Sequence, residues 1–275
     1  MCSMSLKFPI SLVGKRVSSG GDIPFATSLY GSGNNLLVSI ETDIPNHWND
    51  YNTPYNATRL EIGTSCTSIG SYAFWNCTGF NGSLTIPDSV TTIRGGAFWN
   101  CTGFNGSLTI PDSVTTIGDS AFYGCNSLTG SLTIGNSVTT IGNTAFRSCS
   151  GFNGSLTIPD SVTTIGSGAF RSCSGFNGSL TIGNSVTTIR SSAFRSCSGL
   201  TGSLTIPDSV TTISSHVFYS CSSITSVSIL ATTAPTIGIN AFTSMTSVSP
   251  AEIHVPAGAT GYAASYDGLT VVYDL

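Results

Sequence analysis

The run Leu84-Thr85-Ile86-Pro87-Asp88-Ser89-Val90-Thr91-Thr92-Ile93-Arg94-Gly95-Gly96-Ala97-Phe98-Trp99-Asn100-Cys101-Thr102-Gly103-Phe104 decides the fold, because most of the chain is this run copied again. Cysteines at 77, 101, 125, 149, 173, 197 and 221 stand 24 residues apart, and an Ala-Phe pair, Val217-Phe218 in the last copy, ends three residues before each. A fixed period of this size belongs to stacked repeats rather than to one closed globule.

Each copy has two halves of different periodicity. In Ser83-Leu84-Thr85-Ile86 apolar and hydroxyl residues alternate, which predicts a short strand with Leu84 and Ile86 on one face and Ser83 and Thr85 on the other. Pro87 cannot donate to a ladder and ends the strand, and Asp88-Ser89 supplies turn chemistry. Val90, Ile93, Ala97 and Cys101 then follow at three- and four-residue steps with Phe98 beside them, the apolar face of a helical or 3₁₀ segment. Phe104 and Gly106 return the chain to the next strand. One such coil cannot bury enough apolar surface to offset the ordering of its own residues, so stacking is compulsory.

The pattern L-x-I-P-x-S-V-T-x-I-x-x-x-A-F-x-x-C-x-x-L/F resembles the leucine-rich repeat of the BspA-like type over roughly residues 60–256. The departure is length: most copies return through Cys-x-x-Phe-Asn-Gly-Ser-Leu, whereas Cys221-Ser222-Ser223-Ile224-Thr225-Ser226-Val227 is the shorter form associated with the family. The resemblance implies a repeat solenoid, a right-handed leucine-rich-repeat superhelix with short parallel strands on one face and short helical or 3₁₀ turns on the other. It implies adhesion or binding at a surface, and no reaction.

The expected organisation is an N-terminal cap or attachment segment at 1–58, the solenoid at 59–256 and a C-terminal cap at 257–275. In the first segment Gly20-Gly21 and 31–35 read as turns, Leu36 to Ile40 as a strand, and Pro45 to Tyr51 as an irregular loop. The first coil is degenerate, with Cys66 where later copies carry valine. The last has Ile237, Ala241-Phe242 and Met245 in the Ile, Ala-Phe and Cys places, followed by a strand at Ile253 to Val255. Ala257 to Ser265 reads as helical and Leu269 to Tyr273 as extended.

Charged residues are 8% of the chain and the net charge is −4, so solubility rests on Ser, Thr, Asn and Gly. No basic tract exists to displace counterions from phosphate, which argues against nucleic acid as a partner. No apolar run is long enough to span a bilayer as a helix. Met1 to Arg16 makes a poor secretory signal, because its basic residues follow the short apolar piece. The location expected from the resemblance is extracellular or at a cell surface. The weak signal keeps open a virion component, such as a tail fibre, receptor-binding or decoration protein, anchored through residues 1–58 and touching its neighbours there.

Seven periodic cysteines invite a disulfide or metal reading, and geometry answers it. Side chains stacked in parallel one strand spacing apart do not converge as a disulfide requires, and no C-x-x-C or histidine cluster converges on a zinc. The cysteines are expected to be small buried apolar residues, with Cys2 outside the column. His47, His216 and His254 fall in no catalytic motif, and Asp88, Asp112, Asp160 and Asp208 read as turn formers. No catalytic, cofactor or metal site is predicted, and an enzyme, a hydrolase for example, is the least favoured class.

Two surface rows carry the functional expectation. The residue after each Phe changes along the stack: Trp75, Trp99, Tyr123, Arg147, Arg171, Arg195, Tyr219. These are the residue types enriched where proteins anchor partners, and the expected partner is a protein or a surface glycan. Alternatively they lie flat along neighbouring coils and shield them. The second row, Thr85, Thr109, Thr133, Thr157, Thr181 and Thr205 beside a column of serines, is uniform and uncharged. It suits a generic scaffold, or else contact with a regular lattice such as ice or a polysaccharide.

Overall fold

The computed structural model of the chain describes residues 57–275 together with two earlier strands, Ala26–Tyr30 and Leu36–Ile40. The turns expected at 20–21 and 31–35, the loop at 45–51, Cys2, His47 and the segment 1–16 lie outside the described residues. The strand expected at Leu36 to Ile40 is present. It pairs antiparallel with Ala26–Tyr30 and parallel with Ala57–Ile62, the strand of the first coil.

From there the chain is a solenoid of parallel strands in register. Eight two-residue strands form one continuous parallel sheet: Ser68–Ile69, Thr92–Ile93, Thr116–Ile117, Thr140–Ile141, Thr164–Ile165, Thr188–Ile189, Thr212–Ile213 and Thr236–Ile237. Each isoleucine pairs with the isoleucine one coil away. The Leu-Thr strands form the second ladder, Leu108–Thr109 with Leu132–Thr133 and Leu156–Thr157 with Leu180–Thr181. It closes in a five-stranded sheet whose order along the ladder is Gly202–Ile206, Ile224–Ile229, Glu252–Val255, Leu269–Tyr273 and Ser265–Tyr266.

The Ile-to-Cys half of each coil differs from a helix. Thr92–Ile93 is a strand, and Arg94 to Cys101 is a chain of tight turns, with N–H groups of Ala97, Trp99 and Cys101 bonded to the carbonyls three residues back. The spacing of those bonds is that of a 3₁₀ turn. Positive φ at Gly96 (64°) and Asn100 (55°) stops any helix from propagating, and other coils repeat this at pairs such as Ser192 (60°) and Ser196 (61°). The intervening N–H groups of Gly96, Phe98 and Asn100 donate to Asp119, Ala121 and Tyr123 of the next coil at 2.7–2.8 Å. The turns are therefore a third ladder between coils, and no helix occurs among the described residues.

Turns of four residues place Val90, Ile93, Ala97 and Cys101 inward, all essentially inaccessible to solvent. Phe74, Phe98, Phe122, Phe146, Phe170, Phe194, Phe218 and Phe242 stack with ring centroids 5.1–5.8 Å apart, near the pitch of the strands, and with ring planes nearly parallel.

The cysteines are more than apolar filler. Cys101 Sγ donates to Phe74 O at 2.9 Å, and the thiols of Cys125, Cys149, Cys173, Cys197 and Cys221 donate to Phe98, Phe122, Phe146, Phe170 and Phe194 at 3.0–3.1 Å. Each of these carbonyls also accepts the N–H of the cysteine three residues on in its own coil. The thiol supplies the carbonyl's second bond across the coil boundary. None of these six cysteines is in a disulfide.

At the C-terminal end the expected helix at Ala257 to Ser265 is absent. Gly258 and Gly261 both sit at φ 80°, which the glycine-spaced sequence permits and a right-handed helix forbids. The segment instead runs into Ser265–Tyr266, which pairs antiparallel with Leu269–Tyr273 in the tail. The turn between them places Asp267, whose Oδ2 accepts the Phe242 N–H at 2.8 Å. In earlier coils the next coil's Ala carbonyl fills that role, so a carboxylate stands in for the missing ninth coil.

Asp267→Ala is expected to cost about 1–3 kcal/mol and to speed exchange of the Phe242 amide, as thermal unfolding and hydrogen exchange can measure. Burial pushes the thiols of Cys125, Cys173 and Cys221 from 9.0 up to about 12, and burial together with neighbouring cysteines raises Cys101, Cys149 and Cys197 well above 9.0. Above pH 9 the unfolded chain releases these protons while the folded chain keeps them. Stability from these groups is therefore complete below about pH 9 and is lost as pH rises toward 12, to be read by denaturant titration across that range.

Candidate functional site

The turn ladder fixes the row of residues after each Phe. Phe98 is held inward by its bond to Ala121 O, and Trp99 sits at the next position with Asn100 in the left-handed conformation behind it. Repetition of that geometry brings the seven predicted residues into one stripe. Trp75 is the most open, 41% exposed, and Trp99, Tyr123, Arg147, Arg171, Arg195 and Tyr219 are half-buried.

The half-burial comes from contact between coils. Trp99 and Tyr123 have ring centroids 4.8 Å apart, Arg147 Cζ lies 5.5 Å from the Tyr123 ring centre, and Arg195 Cζ lies 4.7 Å from that of Tyr219. Tyr72 adds a ring 6.1 Å from Trp99. Where these contacts occur the side chains lie along one another, as the shielding alternative expects, and the half-buried row still presents aromatic and guanidinium groups along one edge. Arg171, between two other arginines, has its pKa lowered by burial and then by Arg147 and Arg195.

The six threonines of the hydroxyl row are all exposed, and none of their hydroxyls donates to a protein acceptor among the described residues. The hydroxyl-rich half next to Val90 behaves differently. Thr91, Thr115, Thr139, Thr163, Thr187 and Thr211 donate to carbonyls, those from Thr115 onward to the threonine of the preceding coil, at 3.2–3.4 Å. Ser113, Ser161 and Ser209 bond carbonyls of Val90, Val138 and Val186 at 2.7–2.9 Å. These hydroxyls are structural.

Sequence reasoning missed a second-order repeat on the Thr row. After Ile110 the chain reads Pro-Asp, after Ile134 Gly-Asn, after Ile158 Pro-Asp, after Ile182 Gly-Asn and after Ile206 Pro-Asp. A Cβ on Gly135 would fall 2.3 Å from Pro111 O, and one on Gly183 2.4 Å from Pro159 O. Asn136 and Asn184 donate their N–H groups to Oδ1 of Asp112 and Asp160 at 2.7 Å. The aspartates are thus turn formers that also clamp the next coil. Above each glycine an open groove is left, one of about 700 Å³ between Pro111 and Pro159 and one of about 610 Å³ between Pro159 and Pro207. The alternation of Pro and Gly was the legible signal.

His216 Nε2 is 3.2 Å from Asn240 Nδ2, and His254 Nδ1 lies 2.9 Å from Asp274 with Glu252 at 3.9 Å from Nε2. These pairs are separate, and no group of three metal-ligating side chains gathers among the described residues. No helix of the described residues is long and apolar enough to cross a membrane.

Over residues 50–177 and 152–261 the chain matches the sequence pattern described as the BspA type leucine rich repeat region, in six copies. In structure it is similar to a leucine rich repeat protein of T. pallidum, at 21% identity and TM-score 0.50 over 85% of this chain and 92% of that one. It is similar at lower TM-score, 0.41, to a leucine-rich repeat protein of Bacteroides ovatus, at 21% identity over 86% of this chain and 76% of that one. The same score and identity hold for a leucine rich cell surface protein of Faecalibacterium prausnitzii, over 90% and 94% of the two chains. A comparison with curated proteins gives no match. The first likeness is one of fold.

Gly183→Ala is expected to destabilise the stack by more than an exposed Gly→Ala change elsewhere, on the order of 1–3 kcal/mol, because its Cβ meets backbone rather than a yielding side chain. Gly202→Ala, where nothing lies within 4 Å but φ is 77°, separates steric from conformational cost in the same unfolding measurement.

Proposed function

Since this chain belongs to the BspA-type leucine-rich repeat family, we propose that it is a non-enzymatic scaffold that binds a partner at a cell surface or outside the cell through the stripe from Trp75 to Tyr219. The family is typically one of binding scaffolds, which supports the class. The observation that carries the site is the stripe itself. On a surface made mostly of small hydroxyl and amide residues, it lines up large aromatic and guanidinium groups in seven successive described coils. Large amphipathic groups held rigid by their neighbours lose little entropy on binding, which is what an anchor row requires. The partner is a protein or a surface glycan. The segment 1–58, whose strand Leu36–Ile40 pairs with Ala57–Ile62 of the first coil, caps the solenoid or attaches it to a neighbour in this reading.

Labelled protein applied to printed arrays of extracellular-matrix proteins and glycans tests the site. Trp75→Ala with Trp99→Ala is expected to abolish the signal while the melting temperature stays within a few degrees, since neither side chain belongs to the buried core. An unchanged signal dismisses the stripe.

A further inference from the structure

Three successive coils put arginine in the stripe, each within the same four residues: Arg147-Ser148-Cys149-Ser150, Arg171-Ser172-Cys173-Ser174 and Arg195-Ser196-Cys197-Ser198. The chain has nine basic residues in all, so a third of them stand in one column. The Phe rings that carry these coils are 5.3 and 5.5 Å apart, which sets the pitch of the column. Among the described residues none of the three guanidiniums has a carboxylate within ion-pair distance. The nearest acids in sequence, Asp160 and Asp208, occupy the other turn of the coil, where Asp160 is engaged with Asn184.

Like charges one coil apart repel, and a carboxylate beside them would have cost the sequence a single substitution. Tyr123 and Tyr219 take up the outer faces of Arg147 and Arg195, and Arg171 has neither ring beneath it. Burial, and after it the two flanking cations, lower the pKa of Arg171. Ser148, Ser172 and Ser196 follow the arginines, half-exposed, with hydroxyls that bond no protein atom among the described residues. Guanidinium forks and hydroxyls together form a straight row of donors.

We propose that Arg147, Arg171 and Arg195 form a binding site for a linear acidic polysaccharide, one carrying a carboxylate or sulfate on successive sugars. This rests on the stripe being the contact surface and names the chemistry of its partner. A repeating row of cations at constant pitch matches a ligand with a repeating charge. An extended acidic peptide returns a side chain to the same face only every ~6.6 Å, out of step with a column whose rings are 5.3 and 5.5 Å apart. Three cations on a chain of net charge −4 supply too little counterion release for nucleic acid. The tyrosines at both ends hold the terminal arginines in place.

The test is retention of the full-length protein on heparin and on polygalacturonate, with neutral dextran, poly-glutamate and a single-stranded oligonucleotide alongside, across a salt series. The expected result is salt-sensitive retention on one or both acidic polysaccharides and none on dextran. Affinity should fall at least about tenfold in R147Q/R171Q/R195Q, with the lysine triple variant intermediate because it keeps charge and loses the fork. Melting temperature and far-ultraviolet dichroism verify that both variants are folded. Equal or tighter retention on poly-glutamate or the oligonucleotide overturns the proposal, as does no retention on either polysaccharide or retention unaffected by the glutamine variant. If polysaccharide retention fails while Trp75→Ala with Trp99→Ala still removes array binding, the stripe stands and its acidic-glycan ligand falls. If both fail, the stripe itself is wrong.

Discussion

One phenylalanine carbonyl per coil, from Phe74 to Phe194, lies in the buried stack with two lone pairs to satisfy. One bond comes from the cysteine N–H of its own coil and the other from the cysteine thiol of the next. This bond adds a coil-to-coil tie to the apolar contact, since a methyl group in place of the thiol would leave the carbonyl with only its N–H partner. Position, size and donor capacity are fixed together, and cysteine is the small residue that meets all three. The same coil-to-coil logic extends to the three backbone ladders and to the Asp267 carboxylate that ends them.

Such tight bonding between neighbours explains the economy of the surface. Once every coil's polar backbone is satisfied by the next, few side chains are needed outside to hold the shape. The serines and threonines that flank the valine serve the backbone, and those on the Leu-Thr ladder are left exposed. The stripe after each Phe is a column whose bulk and charge vary along the described coils outside the core, because its residue is flanked by an inward ring and a left-handed turn.

The stacking, the register and the inward column were legible because the period of 24 recurs with few errors, and a residue that recurs once per coil must line up. The location of strands was not fully legible. Val90, Ile93, Ala97 and Cys101 show helical spacing, yet successive four-residue turns give the same spacing, and only the left-handed residues at 96 and 100 distinguish the two. Glycine, asparagine and serine all fill those left-handed sites across the copies, so no single residue type marks them. Ala257 to Ser265 misled for a related reason: its alanines favour a helix, and its two glycines adopt the conformation that prevents one. Within the stripe the residues were identifiable, while the stacking of Trp99 on Tyr123 and of arginines on tyrosines depended on pitch and rotamer.

The alternation of Pro-Asp with Gly-Asn makes the true building block a pair of coils. The Leu-Thr ladder breaks into two-stranded pieces with the same phase, and each glycine packs on the proline carbonyl of its partner coil. Two Pro-Asp coils already adjoin at Pro87 and Pro111, so the match of glycine to proline belongs to residues 108–206, where loss or duplication of a single coil would interrupt it. Lineages that lengthen or shorten this solenoid within residues 108–206 would therefore do so in steps of two coils, keeping parity while the number of grooves changes by one.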